Sequence, residues 1–510
     1  MSDKDNDRKK RLLLCCDSPT APTGLGRITR QLIERYKDTY EIVVMGWGYS
    51  NESHEFPCHI YPVRKRDPQA LQHFLVQAGD WFPDVVLCIG DPWDFLHMPR
   101  AISVYREAAG RYVPWYHLSL IDGHPLQPGW TPVFVEPDGL AVTSTYGREA
   151  IQALDSKLNP SVVRLGVDSD FWKVASEHRV IIGDGPHAKE ISRENTFLIF
   201  WAGVNSNRKN LDALLQAAAP VLKAHEDAYL LLNVAYENPT GIDIFAVARR
   251  LGIPEAQFAV NRGPEDRSGV DDGMLRQYYA ISTITACTSI GEGNWLPGYE
   301  AQACGSIPVG IDFSAVRETI GSRGVLVRAS YTGAIGEFGY VRGLIDIEAL
   351  TEAVEGLYDD WKNCKSQRIE EMRGRGRKWA EFQNWDRFTD AVTKLITTEK
   401  DVSQQPAKAR TWVKQKVNLA GLSVGMCCPT FKQNCGIGHY SEALVDSLFD
   451  SGVHLKTYAT KEPQRLAEAA VEQELDLVHL QHEYSFYDVE KLQVFYRGLS
   501  EAGIASVTTM

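Results

Sequence analysis

Short apolar runs alternate with amphipathic stretches from the start of the chain. Residues 12–16 form a run of strand type, and the stretch 27–36 places Ile28, Leu32, Ile33 and Tyr36 on one helical face. Strand-like runs follow at 40–46, 84–90, 113–121 and 140–143. Near-continuous apolar strands separated by helices predict a parallel sheet covered on both faces, the α/β class. This half-sheet ends near 161–168. The mostly polar stretch 177–195 predicts an irregular surface excursion. The alternation then restarts, with strands predicted at 197–204, 229–235, 281–288, 307–311 and 325–327, and helices at 211–224 and 350–360. Asn384-Trp385-Asp386 opens a closing helix that runs to 396, and 397–416 is charged and polar, a linker.

Beyond the linker the chain repeats its opening. Val424-Gly425-Met426-Cys427-Cys428-Pro429-Thr430 leads to Cys435-Gly436-Ile437-Gly438 and a helical run, as Leu13-Leu14-Cys15-Cys16 leads to Thr23-Gly24-Leu25-Gly26 and another. Residues 476–480 echo 84–88. The pattern divides the chain into a first Rossmann-like domain at 1–172, a second at 173–384, the closing helix at 385–396, the linker at 397–416 and a partial copy of the first domain at 417–510.

The richest chemistry sits at 292–309. Glu292 and Glu300 stand eight positions apart, the first on a loop with Gly293, Asn294 and Trp295, the second inside a short helix. Pro297 suits the first helical position, and Gly305 suits the left-handed residue that ends a helix. Such a helix start offers free N–H groups to an anion, and its dipole favours negative charge. Donors for phosphate beside acceptors for hydroxyls match a nucleotide-sugar. The same spacing on a solvated loop and helix is the plain alternative. Arg208 and Lys209 follow the first strand of the second domain, where fixed cations stabilise charge on a leaving phosphate. Gly24 and Gly26 follow the first strand of the first domain. They let backbone approach a ligand or simply make a tight turn, with Arg27 beside them. The third glycine of a dinucleotide fingerprint is lacking. Asp122-Gly123-His124-Pro125 follows the strand at 113–121, at the end of a parallel sheet where ligands bind.

The segment 292–309 resembles the Glu-x7-Glu motif of retaining glycosyltransferases with two facing Rossmann-like domains, the GT-B architecture, and specifically of glycosyltransferases group 1, family four. The resemblance covers roughly residues 10 to 400. It implies that Glu292 contacts the donor sugar, with Gly293, Asn294, Trp295 and Leu296 around it, and that Glu300 binds the ribose. It also implies that Arg208 and Lys209 bind the diphosphate, that Gly24 and Gly26 face the phosphates, and that His124 sits near the transferred sugar. Asp122 would hold that imidazole and Arg27 would support the glycine loop. Arg164-Leu165-Gly166-Val167-Asp168 resembles the lead-out of the family's first domain. The helix from Asn384 would cross back onto that domain.

The expected activity is therefore transfer of a sugar from a nucleotide-diphosphate sugar to a glycan, lipid-linked or protein acceptor, with retained configuration. Acceptor choice falls to loops such as 93–98 and 126–135. The family works without a metal, so no metal site and no resident cofactor are expected; Asp168-Ser169-Asp170 reads as structural. A nucleotide-sugar epimerase or another GT-B enzyme is one rival, and a non-catalytic sugar-binding scaffold is another. With 510 residues and a formal net charge of -12, the chain is too acidic for a general nucleic-acid binder. Ten cysteines without a scaffold pattern suggest reduced thiols. No apolar run spans a bilayer, so the expected location is cytoplasmic, with membrane contact at most peripheral through runs such as 64–66 and 373–378. Oligomeric state is unknown from sequence.

Overall fold

A computed structural model describes residues 8–397 apart from 65–66, 68–69, 72–73, 75–80, 110, 175–178, 183–188, 238–239, 263–269, 336–338 and 364–365, and further on residues 422–428, 441, 444–445, 453–460, 462–481 and 489–509. The chain divides into two compact units, Met1–Lys400 and Asp401–Met510.

The first unit holds two parallel sheets. Strands β1 (Lys10–Asp17), β2 (Tyr40–Trp47), β3 (His59–Val63), β4 (Val85–Gly90), β5 (Trp115–Ser119), β6 (Gly139–Val142) and β7 (Ser161–Val162) pair in the order β3-β2-β1-β4-β5-β6-β7. A small antiparallel hairpin follows, β8 (Arg179–Ile182) and β9 (Lys189–Ser192). The second sheet runs β12-β11-β10-β13-β14-β15, built from β10 (Phe197–Asn205), β11 (Ala228–Glu237), β12 (Phe258–Arg262), β13 (Ile284–Cys287), β14 (Ile307–Ile311) and β15 (Val325–Val327). In both sheets the order reverses beside the first strand, between β1 and β4 and between β10 and β13. Ligands of open α/β sheets bind in the crevice at such a reversal, outside the carboxyl ends of the strands.

The apolar runs become strands because both faces of each sheet are covered. Leu12, Leu14 and Leu87 point one way into a core shared with the helix Gly24–Tyr36, while Leu13, Val86 and Cys88 point the other way. The helix predicted at 211–224 is Leu211–Ala224, and it covers one face of the second sheet. The helix Trp385–Thr397 lies on the first domain: Thr393 Oγ1 meets the Tyr36 hydroxyl at 2.9 Å, and Asp386 accepts from Arg35 at 2.8 Å.

Two departures from the sequence reading are informative. The excursion at 177–195 is not irregular. It is the hairpin β8–β9, which buries Val180, Ile182 and Ile191. A second hairpin, β16 (Ala329–Ala334) and β17 (Val341–Ile345), follows the last strand of the second sheet and was not expected.

The second unit has one parallel sheet in the order β19-β18-β20-β21, from β18 (Ser423–Cys427), β19 (His454–Tyr458), β20 (Leu477–Gln481) and β21 (Ala505–Thr509). Helices Pro463–Glu472 and Val489–Glu501 supply a core around Cys427, Leu466, Leu480 and Phe495. The glycines at 436 and 438 and the linker 398–416 lie outside the described residues. All eight described cysteines are free thiols.

Candidate active site

Between the carboxyl ends of the two sheets lies a cleft of about 1050 Å³. Its walls come from both domains. Asp17, Gly24, Arg27, Arg30, Asp91, Trp93 and Asp122 belong to the first, and Arg208, Lys209, Asp272, Tyr279, Glu292 and Glu300 to the second.

Glu292 follows β13, and its carboxylate is buried, with the residue 4% exposed. It stays ionised because two cations grip it, Arg208 at 2.8 Å and Lys209 at 2.5 Å. Burial alone would raise its pKa, but those cations bring it down to about 2. Burial likewise opposes the charge on Arg208, yet Glu292, with help from Asp122 and Asp91, holds its pKa above the usual guanidinium value. The two cations sit on a one-turn 3-10 helix, Asn207–Lys209, that ends in left-handed Asn210 at φ 48°. The Ile290 amide donates to the Arg208 carbonyl and Thr288 Oγ1 to the Lys209 carbonyl, which ties this turn to the loop carrying Glu292.

Glu300 stands on the helix Leu296–Ala303, with Pro297 in its first turn. The helix ends as its sequence predicts. Gly305 adopts φ +78°, its amide donates to the Gln302 carbonyl, and the Ser306 amide reaches back to the Ala301 carbonyl at 2.8 Å. Glu300 is buried and faces one cation, Arg27 of the other domain, at 3.3 Å. Here burial dominates, Arg27 only partly offsets it, and nearby Asp272 adds repulsion, so the pKa of Glu300 is raised. Arg27 also forks onto Asp272 at 2.6 and 3.1 Å, and its guanidinium lies 4.9 Å over the Trp172 ring.

The structure brings Gly24, Arg27, Asp122, Arg208, Lys209, Glu292, Gly293, Asn294, Leu296 and Glu300 together to line one cleft. Three expected residues do not line it. Gly26 is packed inward: a Cβ there would lie 2.4 Å from the Ala21 carbonyl oxygen, and its amide donates to Thr23 at 2.9 Å. That glycine sits in the first turn of the helix Gly24–Tyr36, packed against the loop before it. Trp295 is core, 3% exposed, with its ring over Gly298. His124 turns away. Its Nδ1 bonds the Tyr146 hydroxyl at 2.7 Å, its ring stacks on Phe313, and its carbonyl accepts from the Val341 amide.

Asp122 therefore does not hold an imidazole. Its Oδ2 accepts from Arg342 at 3.0 Å, and both residues are under 10% exposed. Arg342, Asp272, Asp91 and Tyr279 are cleft residues missed in the sequence. For Arg342 a signal existed, a lone charge inside the apolar run 341–345. Elsewhere Glu318 of the second domain accepts from the Thr145 and Tyr146 amides and pairs with Arg164, joining the domains beside the cleft. Asp168 accepts from the Asp170 and Phe171 amides, a local structural contact in keeping with the expectation that this segment is structural. Of the basic runs, Lys65 and Arg66 lie outside the described residues, and Arg373 is buried against Glu370. Among the described residues no helix is long and apolar enough to cross a membrane.

No protein-family model and no curated protein sequence matches the chain. Solved structures do. Sucrose-phosphate synthase from Thermosynechococcus elongatus superposes with a TM-score of 0.59 at 14% identity, over 76% of this chain and 98% of that one. The trehalose 6-phosphate synthase of Burkholderia multivorans gives 0.56 at 10% identity, over 76% and 98%. Anabaena Alr3699/HepE in complex with UDP-glucose gives 0.55 at 13% identity, over 75% and 98%. The likeness is one of fold: this chain has the GT-B architecture of two facing Rossmann-like domains, followed by a third, incomplete Rossmann-like unit.

Proposed function

We propose that the chain is a retaining glycosyltransferase of the group 1 kind, using a nucleotide-diphosphate sugar and no resident cofactor. The reading rests on one observation: Arg208, Lys209, Glu292 and Glu300 share a single cleft between two sheets. In this reading the diphosphate lies against Arg208 and Lys209, near the start of the helix Leu296–Ala303. Glu292 holds the two cations in place before the ligand arrives, so little reorganisation is needed as charge develops on the leaving phosphate. Glu300 accepts from ribose hydroxyls. The bond between the anomeric carbon and the phosphate oxygen breaks while the acceptor oxygen bonds the same face. The acceptor's proton passes to the leaving phosphate. In this reading the chemistry is carried without His124, whose ring bonds Tyr146 and stacks on Phe313. Support also comes from Alr3699/HepE, solved with UDP and with UDP and glucose.

Calorimetric titration with UDP and GDP tests the reading. One of the two binds the wild type, and Glu300→Ala weakens that binding roughly tenfold or more, the worth of a hydrogen bond to a charged acceptor. Glu292→Ala mainly lowers turnover. Undiminished nucleotide affinity in Glu300→Ala overturns the assignment.

A further inference from the structure

We infer that Arg193, Arg373 and Arg377 form a second anion site, outside the cleft, that takes a phosphate group at the carboxyl end of the helix carrying Glu300. None of the three lines the cleft. Arg193 follows β9, and Arg373 and Arg377 stand four apart on the helix Ser366–Phe382, neighbours on one of its faces. That helix packs on the helix Leu296–Ala303 at Gly376, where a Cβ would lie 3.3 Å from Gln302. The guanidiniums meet just beyond the end of the Glu300 helix. A Cβ on Gly305 would lie 3.2 Å from Arg377 Nη1 and 3.4 Å from Arg193 Nη2.

The carbonyl end of a helix attracts a cation, and Arg193 meets that need alone. Its Nη2 donates to the Cys304 and Gly305 carbonyls at 3.1 and 3.2 Å. The other two guanidiniums are surplus to it. Among the described residues the carboxylate bonded to this group is Glu370, half-exposed and 2.6 Å from Arg373 Nη1. Three further donors, Arg193 Nε, Arg373 Nε and Arg373 Nη2, are buried with no partner among the described residues. Arg373 as a whole is 7% exposed. Burial pushes the Arg193 guanidinium down to about 10, and Arg373 and Arg377 push the same way against the pull of Glu370. Buried donors left unpaired are costly, and here they belong to groups that repel one another. The missing partner therefore accepts several hydrogen bonds and carries negative charge. With Glu370 counted, the three arginines leave two positive charges uncompensated. A phosphate dianion neutralises both and offers oxygens to forked guanidinium donors; a single carboxylate does not. Arg193 and Arg377 are partly exposed, which gives such a ligand its way in.

The test is thermal denaturation of the full chain in chloride buffer at fixed ionic strength, with inorganic phosphate or glycerol 3-phosphate added. At about 10 mM, phosphate raises the Tm of the wild type by about 2 °C or more. In Arg377→Gln the rise falls by at least half. Without phosphate, Arg377→Gln melts no lower than the wild type, because it removes a repelled charge that has no bonded partner; with phosphate it melts lower. The donor cleft is intact in both proteins, so phosphate held at Arg208 and Lys209 contributes equally to both and does not produce this crossing. Arg193→Gln also loses the response, and where that variant fails to fold, Arg377→Gln decides alone. A response to both probes assigns the site to the phosphate group itself, and a response to glycerol 3-phosphate alone assigns it to phosphate monoesters; either supports the site. No rise in the wild type with either probe, an equal rise in Arg377→Gln, or a variant that melts lower by the same amount in both buffers overturns the inference. The transferase reading stands or falls separately, on calorimetry with UDP and GDP.

Discussion

Glu292 and Glu300 lie in one cleft, both buried, yet their pKa values move in opposite directions. The difference is how closely each is held by cations. Two in direct contact with Glu292 outweigh desolvation; Arg27 at 3.3 Å, shared with Asp272, and the weaker pull of Arg30 do not for Glu300. The consequence for stability has a definite sign. A carboxylate held at about 2 against an ordinary 4.5 stabilises the fold above pH 4.5 and loses that contribution as pH falls toward 2. At roughly 1.4 kcal/mol per unit the contribution is on the order of 3 kcal/mol. Glu292→Gln therefore melts well below the wild type at pH 7, and the gap closes between pH 4.5 and 2. Thermal denaturation of both proteins across that range checks it. A gap unchanged by pH would mean that the Glu292 charge is not what the cations stabilise. Glu300 behaves conversely. Its raised pKa makes its ionised form a cost that is full above the folded pKa and vanishes on acidification. Glu300→Gln thus melts no lower than the wild type at neutral pH while nucleotide affinity falls. A residue kept against stability in this way fits a ligand-binding role.

Two kinds of element build the cleft. The parallel strands end at its floor, and the hairpin β16–β17 reaches across from the second domain to deliver Arg342 to Asp122. That ion pair is buried on both sides. Removing one partner strands the other charge, at a cost of about 3–5 kcal/mol. Arg342→Met should lower the urea midpoint sharply, and adding Asp122→Leu should recover most of the loss. Equal losses in the single and double variants would mean that the hairpin holds by packing alone. The same hairpin marks how far the sequence could be read. The helix Leu211–Ala224 and the alternating strands were legible because their apolar periodicity is local, and so was the Gly305 helix stop. Glu292, Glu300, Arg208 and Lys209 were legible because each motif is short and follows a predicted strand. Arg342 was not, since its partner lies 220 residues away. Hairpin β8–β9 hid because its few inward apolar residues stand among charges and gain meaning only against a neighbouring core. His124 and Trp295 mark the reverse failure. Both are correctly on site loops, but contacts distant in sequence turn one ring toward Tyr146 and Phe313 and bury the other over Gly298.

At the scale of the whole molecule, every residue on the cleft wall falls between Asp17 and Leu344, inside the unit Met1–Lys400. The unit Asp401–Met510 has its own sheet and its own core. It repeats the opening topology, with a first strand central and its neighbours parallel on both sides, as β1 lies between β2 and β4. Its sequence holds no counterpart of the Glu292–Glu300 segment or of the Arg208-Lys209 pair. In the proposed reading, the acidic pair and the cations that would make a donor site belong to the second Rossmann-like half, and residues 401–510 supply only the pattern of a first. A chain ending at Lys400 should therefore bind UDP or GDP, whichever the full chain takes, within about twofold of the full-length affinity, as expected when no wall residue is removed. Residues 401–510 alone should bind neither. Calorimetry on the full chain and the two pieces measures this directly. Loss of nucleotide binding in a folded 1–400 piece would mean that the last unit contributes to the cleft, and the donor site would then need a wall that residues 17–344 do not supply.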